Sequence, residues 1–151
     1  MASSGYLTDD EYRHVYSRAP RLCIDLAIVS PEGFILTKRD IPPAVGLWHT
    51  PGGRVRYRET VAEAAARIAL EELGITIQLG ALLGFMEFTH DGEFVHSVSL
   101  TFLARQMGGV IRGSGQAAEV RHWKSIPEDT HPIHREFYGR VWASIEKEMR
   151  E

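Results

Sequence analysis

Five residues in the first half of the chain have the types and the spacing that binding of a divalent cation beside a phosphate requires. Gly52 and Gly53 lack side chains, so their backbone can come close to a ligand. Glu71 and Glu72 are neighbouring carboxylates near the end of a predicted helix, and Mg²⁺ prefers one or two carboxylates with backbone, water and phosphate oxygens. Arg67 lies four residues before Glu71 and can pair with it on one helix face. The same charges suit an ordinary solvated helix, so the pattern alone leaves both interpretations open.

The helix that carries these carboxylates has clear end signals. Thr60, followed three residues later by Glu63, has the pattern of a capping box. Apolar residues then recur at helical spacing until Gly74, a residue type that often ends helices. The pattern therefore predicts a helix over 60–73.

The other elements follow from apolar runs and turn residues along the chain. They are predicted, in order, as a helix at 8–17, strands at 22–29 and 34–39 joined by a turn at 31–33, strands near 75–89 and 94–105 joined by a turn at 90–93, a glycine-rich connection at 108–115, a strand at 120–125 and a closing helix after Pro132. The run 22–29 is apolar on both strand faces, which indicates that both faces of the sheet are covered. Several strands and two substantial helices in mixed order predict a layered α/β domain with a mixed sheet.

Size and composition restrict the class of protein. With 151 residues the chain is expected to form one domain over 1–151, with 1–7 flexible. Hydrophobic residues make up 44% and charged residues 25%, which excludes disordered and fibrous classes. The 17 basic and 20 acidic residues do not support broad nucleic-acid binding, although a local basic pocket is compatible with them. A single cysteine, no basic and apolar leader, and no run of about 18 apolar residues predict a cytoplasmic protein without a membrane segment.

The segment around the carboxylates resembles the Nudix box, G-x5-E-x7-R-E-U-x-E-E-x-G-U, in which U is aliphatic. The matching residues, all in register, are Gly53, Glu59, Arg67, Glu71, Glu72, Gly74 and Ile75. The resemblance implies the Nudix fold, an α/β/α sandwich with a mixed sheet, and hydrolysis of a nucleoside diphosphate linked to another group. It also implies Mg²⁺ as the cofactor, with Mn²⁺ as an alternative ion.

The resemblance further implies roles for individual residues. Glu71, Glu72 and the Gly53 carbonyl are expected to bind the metal, Arg67 to orient the carboxylates, and Glu59 to have a structural role. One position departs from the box, because Ile68 stands where the family has glutamate. An isoleucine supplies neither charge nor lone pair, so fewer metal ions are expected, as few as one.

That departure is shared with a subgroup. The chain resembles GDP-mannose mannosyl hydrolases at several positions, which are Ile68, the segment 48–55, Asp25 in an apolar strand, and Arg39 after Lys38. The resemblance implies cleavage at the sugar carbon with release of GDP and sugar, and one Mg²⁺ on the diphosphate. It assigns that ion to Glu72 and Gly53, and contacts with the diphosphate to Arg39 and Arg54. Such cations stabilise the negative charge that gathers on a departing diphosphate.

The loop before the last predicted strand leaves alternatives open. The subgroup has a Gln-His pair there, as metal ligand and general base, whereas residues 115–120 contain no histidine. Gln116 is one candidate metal ligand, and Glu119 is another candidate ligand or base, as a loop glutamate is in other Nudix enzymes. The chain also keeps Glu71, which the sugar hydrolases tend to lack, so the predicted site is intermediate between two patterns.

Other polar residues receive weaker assignments. Asp25 is predicted to be buried and therefore to need a partner, either an arginine in a structural pair or the substrate. His90, His96 and, less so, His122 are candidate proton acceptors. Trp48 is expected to serve in packing.

Three functions are compatible with the sequence. The first is a Mg²⁺-dependent hydrolase of a nucleotide sugar such as GDP-mannose. The second is a pyrophosphohydrolase of nucleoside triphosphates or other nucleoside diphosphate conjugates that uses Glu71, Glu72 and Glu119. The third, supported only by Ile68, is a Nudix module that binds a nucleotide without catalysis. A homodimer is expected from the resemblance alone.

Overall fold

A seven-stranded mixed sheet with helices on both faces forms the centre of the molecule. The computed structural model describes residues 6–40, 44–89, 96–112 and 117–151, so the predicted turn at 90–93, residues 1–5 and Gln116 lie outside the described residues. The elements are α1 (Asp9–Tyr16), β1 (Arg21–Ser30), β2 (Gly33–Arg39), β3 (Trp48–His49), β4 (Gly52–Arg54), α2 (Val61–Leu73), β5 (Ile75–Phe88), β6 (Ser97–Gly109), β7 (Ala117–Trp123) and α3 (Pro132–Arg150). The predicted α/β class is confirmed.

Helix α2 begins and ends where its signals predict. The Thr60 hydroxyl accepts the Glu63 N–H at 3.1 Å, and the Glu63 carboxylate accepts the Thr60 N–H at 2.9 Å. Gly74 ends the helix with φ at 71°, a left-handed conformation that favours glycine. None of the helices in the described ranges combines the length and apolar character needed to cross a membrane.

The sheet splits beside β1, and the split positions the site. Strand β6 runs parallel to β1 along its length, whereas β2 pairs with β1 only at the hairpin end, through Val29 and Ser30. At its other end β1 pairs with β4, and β2 pairs with β3 at Thr37 and Lys38. Because β7 occupies the opposite edge of β2, β3 and β4 must fill the wedge between β1 and β2.

Two apolar cores lie on opposite faces of the sheet, as the apolar run in β1 predicts. Ile24, Leu26 and Ile28 of β1 pack on the α2 side, against a cluster that includes Ile68. Ala27 and Val29 pack on the α3 side. Since side chains alternate along a strand, Cys23 and Asp25 belong to the α3 face as well.

The glycine-rich connection begins later than predicted. Strand β6 continues past residue 105 to Gly109, because β5 offers partners as far as the pair Ile75 and Gly109. Gly109 has φ at 92°, and a Cβ there would lie 2.5 Å from the Gly74 carbonyl oxygen. Only glycine fits so close to the neighbouring backbone. Gly109 is therefore the last paired residue of β6 rather than part of a loop.

Candidate active site

A cavity of about 380 Å³ opens at the wedge between β1 and β2. The residues that line it and were assigned metal or substrate contacts from the sequence are Asp25, Arg39, Gly53, Arg54 and Glu72. They come from β1, β2, β4 and the end of α2, so the split sheet brings them together. A cavity of this size suits part of a small organic ligand.

Glu72 is the carboxylate of the predicted metal site that faces the cavity. It is half-buried and accepts a hydrogen bond from the Gly52 N–H. Burial raises the pKa of Glu72 to about 7, and the nearby negative charge of Asp25 acts in the same direction, whereas Arg39 opposes it. A cation beside Glu72 would stabilise its ionised form.

The glycine pair brings the backbone close to this carboxylate. A Cβ on Gly52 would lie 2.7 Å from the Ile24 carbonyl oxygen and 2.8 Å from Asp25 Oδ1, so a larger residue does not fit. A Cβ on Gly53 would lie 3.5 Å from Ile68 Cδ1. The buried Ile68 side chain therefore stands beside the backbone that is expected to bind the metal.

The residues present fit a cation that is held by few protein groups. Within the described ranges no three His, Cys, Asp or Glu side chains converge as a metal cluster. Glu72 and the adjoining Gly53 backbone supply hard oxygen donors, and Mg²⁺ commonly takes its other ligands from water and substrate phosphates. The donor set thus suits an ion that binds together with a phosphate-containing ligand.

Arg67 connects the segment that follows Gly53 to helix α2. Its Nε donates to Glu59 Oε2 at 2.7 Å, one Nη donates to Glu59 Oε1 at 3.0 Å, and the same Nη donates to the Arg54 carbonyl at 2.8 Å. The predicted pair with Glu71 is present at 3.7 Å. Arg67 does not line the cavity but ties the segment 54–59 to α2, and its hydrogen bonds to Glu59 lower the pKa of that carboxyl group.

Glu71 and Glu119 do not line the cavity. Glu71 is exposed and lies 3.7 Å from Arg56 as well as from Arg67. Glu119, on β7, lies 2.7 Å from Arg121 and 4.0 Å from Lys38. Their catalytic roles, and the metal roles of Glu71 and Gln116, stay predictions.

Asp25 is buried at the cavity, and its partners are hydroxyl groups. The Thr50 hydroxyl donates to Oδ2 at 2.6 Å, and the Ser99 hydroxyl donates to Oδ1 at 2.5 Å. Because the proton of Thr50 is used in this way, the Tyr138 hydroxyl donates to Thr50 Oγ1 at 2.8 Å. Burial raises the pKa of Asp25 to about 6, and the two hydroxyl groups limit the rise.

Three histidines form one end of the cavity, and sequence analysis did not select them. The His134 ring makes edge contacts with His131 at 5.3 Å and with His49 at 5.9 Å, and Phe88 contacts His131 and His134. His49 Nδ1 donates to the Thr50 carbonyl at 2.8 Å. Burial lowers the pKa of His49 to about 4 and that of His134 well below its ordinary value, so both rings are neutral near pH 7.

The histidines considered from the sequence lie elsewhere. His96 is exposed, and His122 lies 3.4 Å from Glu32; neither lines the cavity. His90 lies outside the described residues. His49 could have been selected from the sequence, because it directly precedes the Thr-Pro-Gly-Gly segment that contains the glycine pair. Trp48 is buried against Trp123 at 5.1 Å, in the packing role predicted for it.

Three arginines give the cavity an excess of positive charge. Arg21, Arg39 and Arg54 line it, against the two carboxylates Asp25 and Glu72. Burial lowers the pKa of Arg39, while Glu72 acts in the opposite direction. Guanidinium groups bind phosphate oxygens through charge-assisted hydrogen bonds, so the cavity suits a diphosphate.

The chain is similar in sequence to several known proteins. Over 92 residues the chain is 35% identical to the low-salt glycan biosynthesis protein Agl8 of Haloferax volcanii, covering 61% of this chain and 59% of the relative. It is 31% identical over 101 residues to an ADP-ribose pyrophosphatase of Methanocaldococcus jannaschii, covering 67% of this chain and 60% of the relative. The matches thus span less than two thirds of either relative's length.

A solved structure and a family profile extend the match to most of the chain. The crystal structure of a MutT NUDIX hydrolase from Burkholderia pseudomallei superposes with a TM-score of 0.73 and 27% identity, over 82% of this chain and 99% of that one. The profile of the NUDIX domain matches residues 19–141. The chain therefore belongs to the NUDIX domain family, the family of the Nudix hydrolases.

Proposed function

We propose that the chain hydrolyses a nucleoside diphosphate linked to another group, in a Mg²⁺-dependent reaction, and that a nucleotide sugar such as GDP-mannose is the favoured substrate. The observation that carries the proposal is the position of Glu72, half-buried at a cavity that also contains Arg39 and Arg54. A carboxylate with a raised pKa beside arginines is suited to share a cation with an anionic ligand.

Glu72 and the Gly53 backbone would hold the ion, with Mn²⁺ as an alternative to Mg²⁺. When bound, the ion neutralises oxygens of the diphosphate. Because Ile68 stands where the Nudix box has a glutamate, the site lacks one carboxylate, which supports binding of fewer metal ions. Cleavage at a sugar carbon fits such a site, because it needs stabilisation of the leaving group rather than attack on a crowded phosphorus centre.

The residues of the chain have separate tasks in this reaction. Arg39 and Arg54 donate hydrogen bonds to the diphosphate and stabilise the charge that develops as it leaves. Asp25, fixed by Thr50 and Ser99, accepts a hydrogen bond from the sugar or from the attacking water. The water oxygen bonds to the sugar carbon, the bond from that carbon to the diphosphate oxygen breaks, and one proton is released.

Hydrolysis of GDP-mannose in ¹⁸O-labelled water tests the proposal. We expect GDP and mannose as products, with the label in mannose, because water attacks carbon. GMP and mannose 1-phosphate, with the label in a phosphate, would instead establish attack on phosphorus. Tight binding of nucleotide and Mg²⁺ without any turnover would establish a binding module.

The second candidate is a pyrophosphohydrolase, and a specific observation favours it. One relative covering 67% of this chain is an ADP-ribose pyrophosphatase. Glu71 is present beside Glu72 at the end of α2, and Glu119 lies on β7, so the carboxylates predicted for this chemistry are present in the chain, although Glu71 and Glu119 do not line the cavity. The same labelling experiment with ADP-ribose distinguishes it, since this reaction yields AMP and ribose 5-phosphate.

Three further predictions concern the whole protein. A single domain over 1–151, a cytoplasmic location and a homodimer follow from composition and resemblance. Light scattering after size-exclusion chromatography measures the mass in solution. A mass near 34 kDa, twice the 17.0 kDa of one chain, is expected for the dimer.

A further inference from the structure

The cavity is elongated along β1, and its two ends differ in chemistry. Arg21, Cys23 and Asp25 alternate along one strand face and all line the cavity. With a rise of about 3.3 Å per residue, the backbones of Arg21 and Asp25 are separated by about 13 Å along the strand. The cavity therefore offers room for more of a ligand than its diphosphate alone.

Asp25 belongs to the histidine end. The Thr50 hydroxyl binds Asp25, and the Thr50 N–H lies 3.4 Å from His134 Nδ1. With the neutral imidazoles of His49 and His134 and the Phe88 ring, this end suits an uncharged group with many hydroxyls, such as a sugar.

The middle of the cavity holds the groups that would bind the diphosphate. Arg54 pairs with Cys23 across β4 and β1, and Gly52 pairs with Asp25. Glu72 accepts the Gly52 N–H and interacts with Arg39. A diphosphate bound there leaves Arg21 one residue pair further out, on the side away from the histidines.

Arg21 is a fixed cation at that outer end. Its Nε donates to Ser97 Oγ at 2.9 Å, and its Nη1 donates to the Tyr12 hydroxyl of α1 at 2.5 Å. Both partners are neutral, and none of the described carboxylates forms an ion pair with Arg21. Three of the five guanidinium N–H groups are not used in these two bonds, and the rotamer is already ordered before a ligand binds.

We propose that Arg21, held by Ser97 and Tyr12, reads the nucleobase of the bound nucleotide and selects bases that present an oxygen acceptor next to a ring nitrogen acceptor. This inference rests on the proposed function, because it assigns the nucleoside to the outer end after the sugar and the diphosphate have been placed. An arginine fork matches the O6 and N7 acceptors of a guanine or hypoxanthine base, whereas adenine presents an amino group in place of the oxygen.

Calorimetry with GDP, IDP and ADP in the presence of Mg²⁺ tests the proposal. The wild-type protein is expected to bind GDP and IDP alike and on the order of tenfold more tightly than ADP. Arg21→Met should weaken GDP and IDP binding by that factor and leave ADP binding nearly unchanged. Tyr12→Phe, which keeps the ring but removes the hydroxyl that fixes the guanidinium, should lose part of the preference. Arg18→Met is the matched control, since Arg18 is exposed, contacts His14 and does not line the cavity.

Three results would overturn the assignment. Equal weakening of all three diphosphates by Arg21→Met would make Arg21 a phosphate ligand, and no change in any of them would remove it from the site. A wild-type protein that binds ADP as tightly as GDP would also refute it. Arg21→Lys, which keeps the charge without the fork, separates lost geometry from a folding defect. Because binding is measured without turnover, the calorimetry tests the base preference separately from hydrolysis: absence of GDP-mannose hydrolysis would refute the proposed reaction, whereas the three results above would refute the role of Arg21.

Discussion

Two glutamates of the Nudix box, Glu59 and Glu72, lie in opposite electrostatic surroundings. Glu59 accepts two N–H groups from Arg67 and the backbone N–H of Arg56, and these hydrogen bonds lower its pKa. Glu72 faces the cavity, and burial raises its pKa to about 7. The negative charge of Glu59 is balanced by Arg67, whereas that of Glu72 is balanced only in part, by Arg39.

The difference separates a structural carboxylate from one that is suited to a ligand. A carboxylate held by an arginine fork has little to gain from a cation, because its lone pairs are already used. Glu72 gains much from one, since its ionised form is disfavoured by burial and by Asp25. Substitutions at each residue, and at Ile68 beside Gly53, test whether this contrast affects function.

The largest effect is expected for Glu72→Gln. The amide keeps the shape but removes the charge, so hydrolysis should fall by on the order of 100-fold, the scale of losing one group that stabilises transition-state charge. The mutant should also bind Mg²⁺ poorly in the presence of a nucleotide. Steady-state kinetics and calorimetry measure the two losses.

Glu71→Gln is the matched control for Glu72→Gln. Glu71 is adjacent in sequence but exposed, and it lies near Arg56 and Arg67 rather than in the cavity. A smaller loss than for Glu72→Gln is expected. Near-normal turnover of Glu72→Gln, or an equal loss in both mutants, would remove the contrast between cavity and surface carboxylates.

Ile68→Glu restores the glutamate of the full Nudix box at a position beside Gly53. Ile68 is 2% exposed and lies beside Gly53, so a carboxylate there is buried and costs about 2 to 5 kcal/mol of stability in EDTA. Divalent cation should recover part of that loss, and the number of bound Mn²⁺ ions, counted by electron paramagnetic resonance, should rise. Ile68→Gln serves as the neutral control. An unchanged ion count would show that this space is not part of the metal face.

Glu59→Gln tests the structural side of the comparison. It replaces a charged acceptor of two Arg67 bonds, and a loss of about 1 to 3 kcal/mol in the free energy of unfolding is expected. Because the pKa of Glu59 is below its ordinary value of 4.5 in the folded protein, its ionised form stabilises the fold above that pH, and this contribution is lost as pH falls below it. Urea unfolding at pH 7 and pH 4 should thus show a smaller difference between mutant and wild type at the lower pH. A difference that grows on acidification would contradict the assignment.

The elements with local signals were predictable from the sequence. The capping box at Thr60 and the left-handed Gly74 define α2 through contacts within a few residues, and the apolar run in β1 correctly predicts cover on both faces. The spacing of the box on α2 correctly predicts the pair of Arg67 with Glu71. It does not predict that Glu72 faces the cavity with Gly53 while Arg67 and Glu71 do not line it.

The rest of the site depends on long-range pairing that no local pattern contains. Thr50 and Ser99 meet Asp25 only because β1 lies between the β3–β4 turn and β6. Tyr138 joins them from α3, 88 residues away from Thr50 in sequence. From the sequence, either an arginine or the substrate was expected as the partner of Asp25. In the fold, the hydroxyl groups of Thr50, between β3 and β4, and of Ser99, on β6, donate hydrogen bonds to this carboxylate.

The reactivity of Cys23 tests, with the smallest expected effect, whether a nucleotide occupies the cavity. The thiol lines the cavity between Arg21 and Asp25, and burial raises its pKa above the ordinary value of 9.0, the same cause that acts on Glu72. Alkylation by iodoacetamide should therefore be slower than for free cysteine at pH 8 and should still accelerate above pH 9, because the thiolate is the reactive form. A nucleotide with Mg²⁺ at ten times its Kd should slow the reaction about tenfold, since only the empty cavity reacts. Cys23→Ser removes the single cysteine and gives the background rate. Labelling as fast as free cysteine would contradict the burial of the thiol. Labelling that a bound nucleotide does not slow would show that the ligand does not occupy the strand face between Arg21 and Asp25.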